Sequence, residues 1–195
     1  MPLDLFNVLK SGYDPNNEES NGRLQADGYV KDNSLSDGDQ QTYYNKADNK
    51  LLYNVTGSHK LSDIGNDIYL AAGRIKDTNR YKKADSTLKA AKEKYKGAST
   101  TVTGHSLGAN IGSYIGSAND KVVNLDSGHT IGQRTRGNTT EYRSSGDVVS
   151  LLGAGNTRVK TLKTPGLIKS YLTGGIVGGI LKAHDINNIK GKVFV

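Results

Sequence analysis

The sequence predicts an α/β fold whose central strands run parallel. Three observations carry that reading. Helix-like and strand-like segments alternate on either side of Ser106. The run Thr100-Thr101-Val102-Thr103 is β-branched and suits a buried strand, and the small residues that follow Ser106 suit a helix. Ser58, Ser106, Asp126 and Asp147 each fall just after a predicted strand, and sites in such sheets form at the carboxyl ends of strands.

Residues 3–10 place Leu3, Phe6 and Leu9 at helical spacing and predict a short helix. Residues 11–39 are rich in Asp, Asn, Gly and Ser and read mostly as loop, with a short strand at 28–31. The runs 41–46 and 50–56 form a hairpin across Ala47-Asp48-Asn49. The second run carries Leu51, Leu52 and Val55 and is apolar enough to lie inside the sheet. Leu61, Ile64 and Ile68 line one face of a predicted helix.

The clearest helix spans 78–96. Tyr81, Ala84, Leu88, Ala91 and Tyr95 alternate steps of three and four, Asp77 or Thr78 can cap its start, and Gly97 can end it. Lys82, Lys89, Lys92 and Lys96 occupy the opposite, solvated face. Further strands are expected at 121–126 and 140–145. The stretch 166–181 is apolar and glycine-rich, but too short and too polar at Lys169 to span a bilayer. It reads as a tightly packed element, or as an interface-seeking segment beside the site.

With 195 residues, one domain is expected, residues 1–27 forming an N-terminal helix-and-loop extension. The chain has no cysteine, which excludes disulfides and thiolate metal sites. No signal peptide or spanning segment is visible, so a cytoplasmic or virion-associated protein is expected. A net charge of +7, a pI near 9.4 and a mean hydropathy of −0.58 imply a polar, lysine-rich surface. Such a field favours peripheral contact with an anionic membrane. Basic residues interleaved with aromatics are lacking, so nucleic acid is not an expected partner. No cofactor or metal is expected, and the sequence leaves the oligomeric state open.

Gly104-x-Ser106-x-Gly108 has the pattern of a nucleophile elbow. A serine at a sharp strand-to-helix turn projects its hydroxyl above the sheet, and side chains two positions to either side would crowd the turn. With 24 glycines in the chain the pattern alone is weak, and its bland alternative is a glycine-rich turn with an ordinary serine. A nucleophilic serine needs a base, and the base needs an acid to orient it. The histidines are His59, His105, His129 and His184. His105 lies inside the elbow, where its side chain would point away from the nucleophile's face. His184 comes after Ser106 and after several aspartates, the order Ser, acid, His of known hydrolases, and His129 is the second choice. Asp147 follows a glycine just past a strand, Asp126 ends the strand after the elbow helix, and either could orient a histidine. Asp185, adjacent to His184, is badly placed to hold its ring. The oxyanion that forms on attack needs N–H donors. Leu107 directly follows the nucleophile, and Gly57-Ser58 follows an earlier strand.

Four separated stretches resemble the class-three, or fungal-type, triacylglycerol lipases. They are Asn54-Val55-Thr56-Gly57-Ser58 with the segment 61–68; Val102-Thr103-Gly104-His105-Ser106-Leu107-Gly108-Ala109; Tyr142-Arg143 with Gly146-Asp147-Val148-Val149; and Ala183-His184. Predicted viral lipases that are short and rich in Asn and Lys are similar. The resemblance implies a single α/β-hydrolase-like domain with a mostly parallel sheet and helices on both faces. It implies Ser106 as nucleophile, Asp147 as orienting acid, His184 as base, and Ser58 with Leu107 as the oxyanion hole. The implied activity is hydrolysis of carboxylic esters in triacylglycerol or phospholipid through an acyl-enzyme; the alternative is a catalytically inactive lipid- or membrane-binding module on the same fold. Thr56 departs from the family's usual arginine, Ile64 from its tryptophan and Val148 from its proline.

Overall fold

The computed structural model describes residues 3–58, 73–128, 136–145, 147, 159–163 and 184–195. The predicted helical face at 61–68, the stretch 166–181, His59 and His129 lie outside the described residues. Seven strands form one sheet: β1 Val30–Lys31, β2 Gln40–Asn45, β3 Lys50–Val55, β4 Ser99–His105, β5 Lys121–Leu125, β6 Thr139–Ser144 and β7 Val159–Leu162. Their order across the sheet is their order in the chain. The first three are antiparallel neighbours, and β3 to β7 run parallel. The helices that pack on it are α1 Leu5–Tyr13, α2 Glu18–Ala26, α3 Asn79–Lys94 and α4 Leu107–Ile115.

Register decides where the site forms. Val55 of β3 pairs with Gly104 of β4, and His105 of β4 pairs with Leu125 of β5. The three strands therefore end nearly level. Thr56-Gly57-Ser58, Ser106 and Asp126 leave the sheet side by side.

Alternate side chains of a strand face opposite ways, and the two faces are covered by different helices. Tyr53, Val55, Val102 and Val122 pack with Ala84 and Leu88 of α3 and with Leu107, Ile111 and Ile115 of α4. Val123 and Leu125 pack with Leu5, Phe6 and Leu9 of α1 and with Ile186, Ile189 and Val193 near the C-terminus. Leu52 joins Val8, Leu24 and Tyr43 in a third cluster. Truncating a fully buried leucine such as Leu9 or Leu88 to alanine costs about 2–5 kcal/mol.

Helix α3 starts at the predicted cap: Thr78 accepts the backbone N–H of Tyr81 through its side chain. Gly97, at φ 77, turns the chain into β4. Its lysines pair along the surface, Lys89 with Asp85 at 2.7 Å, Lys92 with Asp120 at 2.6 Å and Lys96 with Glu93 at 2.7 Å.

Two expectations need correction. The predicted loop at 11–39 contains α2. Asn17 caps it by accepting the Ser20 N–H at 2.9 Å, and Glu18 and Glu19 complement the positive end of the helix dipole. Only Ser20 and Leu24 of that helix are buried, so no apolar stripe announces it in the sequence. Strand β7 was not expected; at the far side of β6, its end residues are half-buried and its two central residues exposed.

Candidate active site

Strand β4 ends at His105 and α4 begins at Leu107, so one residue makes the whole turn. Ser106 makes it at φ 56 and ψ −125. A non-glycine residue there stores about 1–3 kcal/mol of strain, which the surroundings must hold in place. Its N–H donates to the carbonyl of Leu125 at 3.1 Å, and its own carbonyl accepts from Asn110 at 3.2 Å. The flanking glycines have a steric cause. A Cβ on Gly104 would stand 2.6 Å from backbone atoms of Gly108 and Ala109. One on Gly108 would overlap the carbonyl oxygen of Val55 and stand 2.7 Å from that of Thr56. Helix α4 can leave the turn over β3 and β4 only if both positions lack side chains.

His184 donates from Nδ1 to Oδ1 of Asp147 at 3.0 Å, and both side chains are buried. This bond leaves the other ring nitrogen, Nε2, as the acceptor. Nε2 of His184 and Oγ of Ser106 are both buried without a hydrogen-bond partner among the described residues. Buried polar atoms in proteins are almost always paired, and these two are among seven described side-chain atoms here that are not. Burial alone would lower the His184 pKa. The hydrogen bond and charge of Asp147, joined by the charges of Asp126 and Asp185, outweigh burial and raise it.

His105 ties the elbow to this imidazole. Its Nε2 lies 3.0 Å from the backbone carbonyl of His184, and its Nδ1 lies 2.8 Å from the hydroxyl of Tyr13 in α1. A carbonyl can only accept, so Nε2 carries the proton and Nδ1 accepts from Tyr13. Burial, and then the charge of His184, push the His105 pKa well below its usual value and keep the ring neutral. The two imidazole centroids lie 4.6 Å apart. The Tyr13 hydroxyl also accepts the backbone N–H of Gly57, and burial raises its pKa. One phenol thus joins α1, the elbow and the turn after β3.

That turn abuts Ser106. A Cβ on Gly57 would meet the Tyr13 hydroxyl, lie 2.8 Å from the carbonyl of His105 and 3.2 Å from Cβ of Ser106. The guanidinium of Arg80 in α3 donates to the carbonyl of Thr56, and the Thr56 N–H donates to that of Asp39 at 2.9 Å. Ser58 is buried beside them. Leu107 is the first residue of α4, so its N–H belongs to the unpaired, positive end of that helix.

The structure therefore gathers Ser106, His184, Asp147 and the 56–58 turn at the carboxyl edge of the sheet. Asp185 is not at the ring nitrogens; its side chain caps the turn at 186–189 by accepting the Asn187 N–H at 2.9 Å. The sequence reading turned His105 away from the nucleophile but did not foresee its bonds to Tyr13 and His184. No local signal marks Tyr13, because its partners lie in β4 and in the turn after β3. His105, Asp126 and His184 place donor atoms within 4.8 Å of one another, a spacing a cation could use. Both nitrogens of His105 and Nδ1 of His184 are already committed to hydrogen bonds, so this donor set does not fit a metal centre.

A mostly parallel sheet that presents a serine on the turn between an inner strand and the next helix defines the α/β-hydrolases. The family model for Lipase (class 3) matches residues 39–132, from β2 past the elbow to the segment beyond β5. Over that stretch, just under half of its length, the chain is similar to the class-three lipases. Asp147 and His184 lie beyond the matched stretch. No curated protein sequence matches the chain. Among solved structures, it is similar to a mutant form of MDLA from Penicillium cyclopium, at 14% identity and TM-score 0.52 over 83% of this chain and 78% of that one. A lipase of Yarrowia lipolytica aligns at 17% identity and TM-score 0.46, over 65% of this chain and 62% of that one. The Rhizomucor miehei lipase propeptide complex aligns at 11% identity and TM-score 0.48, over 75% and 60%. The chain thus spans about three fifths of the length of the last two. At these identities the likeness is one of fold.

Proposed function

We propose that the chain is a serine hydrolase that cleaves carboxylic esters of lipids, triacylglycerol or phospholipid, through an acyl-enzyme. The observation that carries the reading is the pair of orphaned buried atoms, Oγ of Ser106 and Nε2 of His184. Each lacks what the other offers: the hydroxyl has a proton to donate, and the imidazole nitrogen has a lone pair.

In the proposed cycle, Nε2 of His184 takes the Ser106 proton as Oγ attacks the ester carbonyl carbon. The imidazolium that forms is stabilised through Nδ1 by Asp147. The tetrahedral oxyanion is held by the N–H groups of Leu107 and Ser58. Collapse expels the alcohol, which takes the proton from His184. Water, deprotonated by the same nitrogen, then attacks the acyl-serine, and the acid leaves. The match of residues 39–132 to the class-three lipase model supports the lipid part of the reading.

Labelling with an alkyl phosphonate, followed by mass-spectrometric mapping and a chain-length series of esters, tests it. The expected result is a single adduct on Ser106 and hydrolysis lost in Ser106→Ala. An unlabelled Ser106 with vesicle binding intact would favour the inactive lipid-binding module instead. Ester hydrolysis by Ser106→Ala at the parent rate would overturn the reading.

A further inference from the structure

We propose that Asp126 is a second carboxylate for His184, a positioning residue that stabilises its protonated ring alongside Asp147. Asp126 is the first residue past β5 and is fully buried. One of its carboxylate oxygens, a ring nitrogen of His184 and a ring nitrogen of His105 all lie within 4.8 Å of one another. The carboxylate is built in rather than stranded. The Ser144 N–H donates to Oδ1 at 2.6 Å, and the Ser144 hydroxyl donates to Oδ2 at 2.8 Å. The carbonyl of the same Ser144 accepts the Asp147 N–H at 3.1 Å, so one residue at the end of β6 holds both acids.

The fold itself does not call for a charge here. Asp126 sits at φ 47, a conformation that asparagine or glycine fills without burying a carboxylate. Burial, and then the negative charge of Asp147, push its carboxyl up to about 7, while the positive charge of His184 and the Ser144 donors pull the other way. The carboxyl thus lies far above the ordinary carboxylate range, beside an imidazole whose own pKa is raised. Among the described residues the titratable groups around this pair are Asp147 after β6, His105 at the end of β4, Asp185 beside His184, and Tyr13 of α1 behind His105. His105 is neutral, so the balance at the ring is set by carboxylates. An ionised Asp126 favours the imidazolium. It helps His184 take the proton during attack, and it also keeps the ring protonated to higher pH.

The catalytic consequence rests on the proposed role of His184 as base; the electrostatic one does not. The test follows the His184 ring by NMR titration of the full chain labelled with ¹⁵N-histidine, in the parent, Asp126→Asn and Ser144→Ala. Asparagine can keep the Ser144 bonds while losing the charge. Its expected effect is a His184 titration lowered by about 1 pH unit or more, the usual effect of removing one opposite charge at this range. Ser144→Ala weakens the hold on the ionised carboxylate and should lower the titration in the same direction by less. The acid limb of kcat/KM for a p-nitrophenyl ester should move down with the ring. A His184 titration unmoved in folded Asp126→Asn overturns the proposal. If that variant does not fold, an unmoved ring in Ser144→Ala overturns it. A ring that moves in a protein that hydrolyses no ester supports the role of Asp126 and removes the hydrolase reading instead.

Discussion

His105 donates its Nε2–H to the carbonyl oxygen of His184 across 3.0 Å, joining the residue before Ser106 to the backbone of the histidine bonded to Asp147. Because Nε2 is spent on this bond, Nδ1 must accept, and Tyr13 supplies the proton at 2.8 Å. A neutral ring with one fixed tautomer thus acts as a strut between α1, the elbow and the segment at 184. A charged ring here would oppose a positive charge on the His184 ring, whose centroid lies 4.6 Å away.

Tyr13→Phe removes one hydroxyl and leaves two groups unpaired, Nδ1 of His105 and the N–H of Gly57. Stability should fall by about 1–3 kcal/mol, the cost of orphaning buried polar groups. Urea unfolding measures it. Hydrolysis should fall as well, through kcat rather than KM, because the hydroxyl positions the turn and the elbow without lying at the nucleophile.

Ser106→Ala and Ser106→Gly both delete the proposed nucleophile but differ in strain. Alanine keeps the penalty at φ 56, whereas glycine releases it. The glycine variant should be the more stable by about 1 kcal/mol, after its larger unfolded-state entropy is set against the relief. Thermal unfolding of the two inactive proteins checks this.

Gly108→Ala places a methyl group on the carbonyl of Val55, a backbone atom that cannot step aside. It should cost about 3 kcal/mol and distort the elbow. Gly112→Ala is its control one turn along α4. There the nearest atom is Cγ1 of Val102 at 3.4 Å, and alanine is the better helix former by about 1 kcal/mol. Denaturant midpoints should separate the two variants, with Gly112→Ala close to the parent.

In the proposed mechanism His184 acts as base only when neutral, and Asp147 raises its pKa above the ordinary 6.5 against the effect of burial. Ester hydrolysis should therefore decline as pH falls through a midpoint above that value. The raised pKa also means that the His184–Asp147 pair contributes its full stability below pH 6.5 and loses it as pH rises through the folded value. Asp147→Asn should lower kcat by about 10⁴-fold, through loss of the orienting carboxylate. A pH–rate profile and a matched stability series measure the two effects.

Much of the sheet was legible because its causes are local. The β-branched run before Ser106, the stripe from Tyr81 to Tyr95 and the turn at Ala47-Asp48-Asn49 each state their element within a few residues. Helix α2 was not legible, since its cap and acidic first turn supply what an apolar stripe usually does. Tyr13 was not legible either. Its hydroxyl matters only because α1 crosses the sheet behind the elbow.

The sequence by itself determined the strand ends and the glycine spacing around Ser106, since the sterics of one tight turn are contained in five neighbouring residues. Position after a strand left Asp126 and Asp147 both open, and the resemblance to the lipase family took Asp147. Where each carboxylate finds its partners is visible only in the tertiary structure. Strand β6 runs two residues past the end of β5, which sets Asp126 against Ser144, while Asp147 meets Nδ1 of His184. That placement depends on the register of strands distant in the chain, which no local pattern of residues encodes.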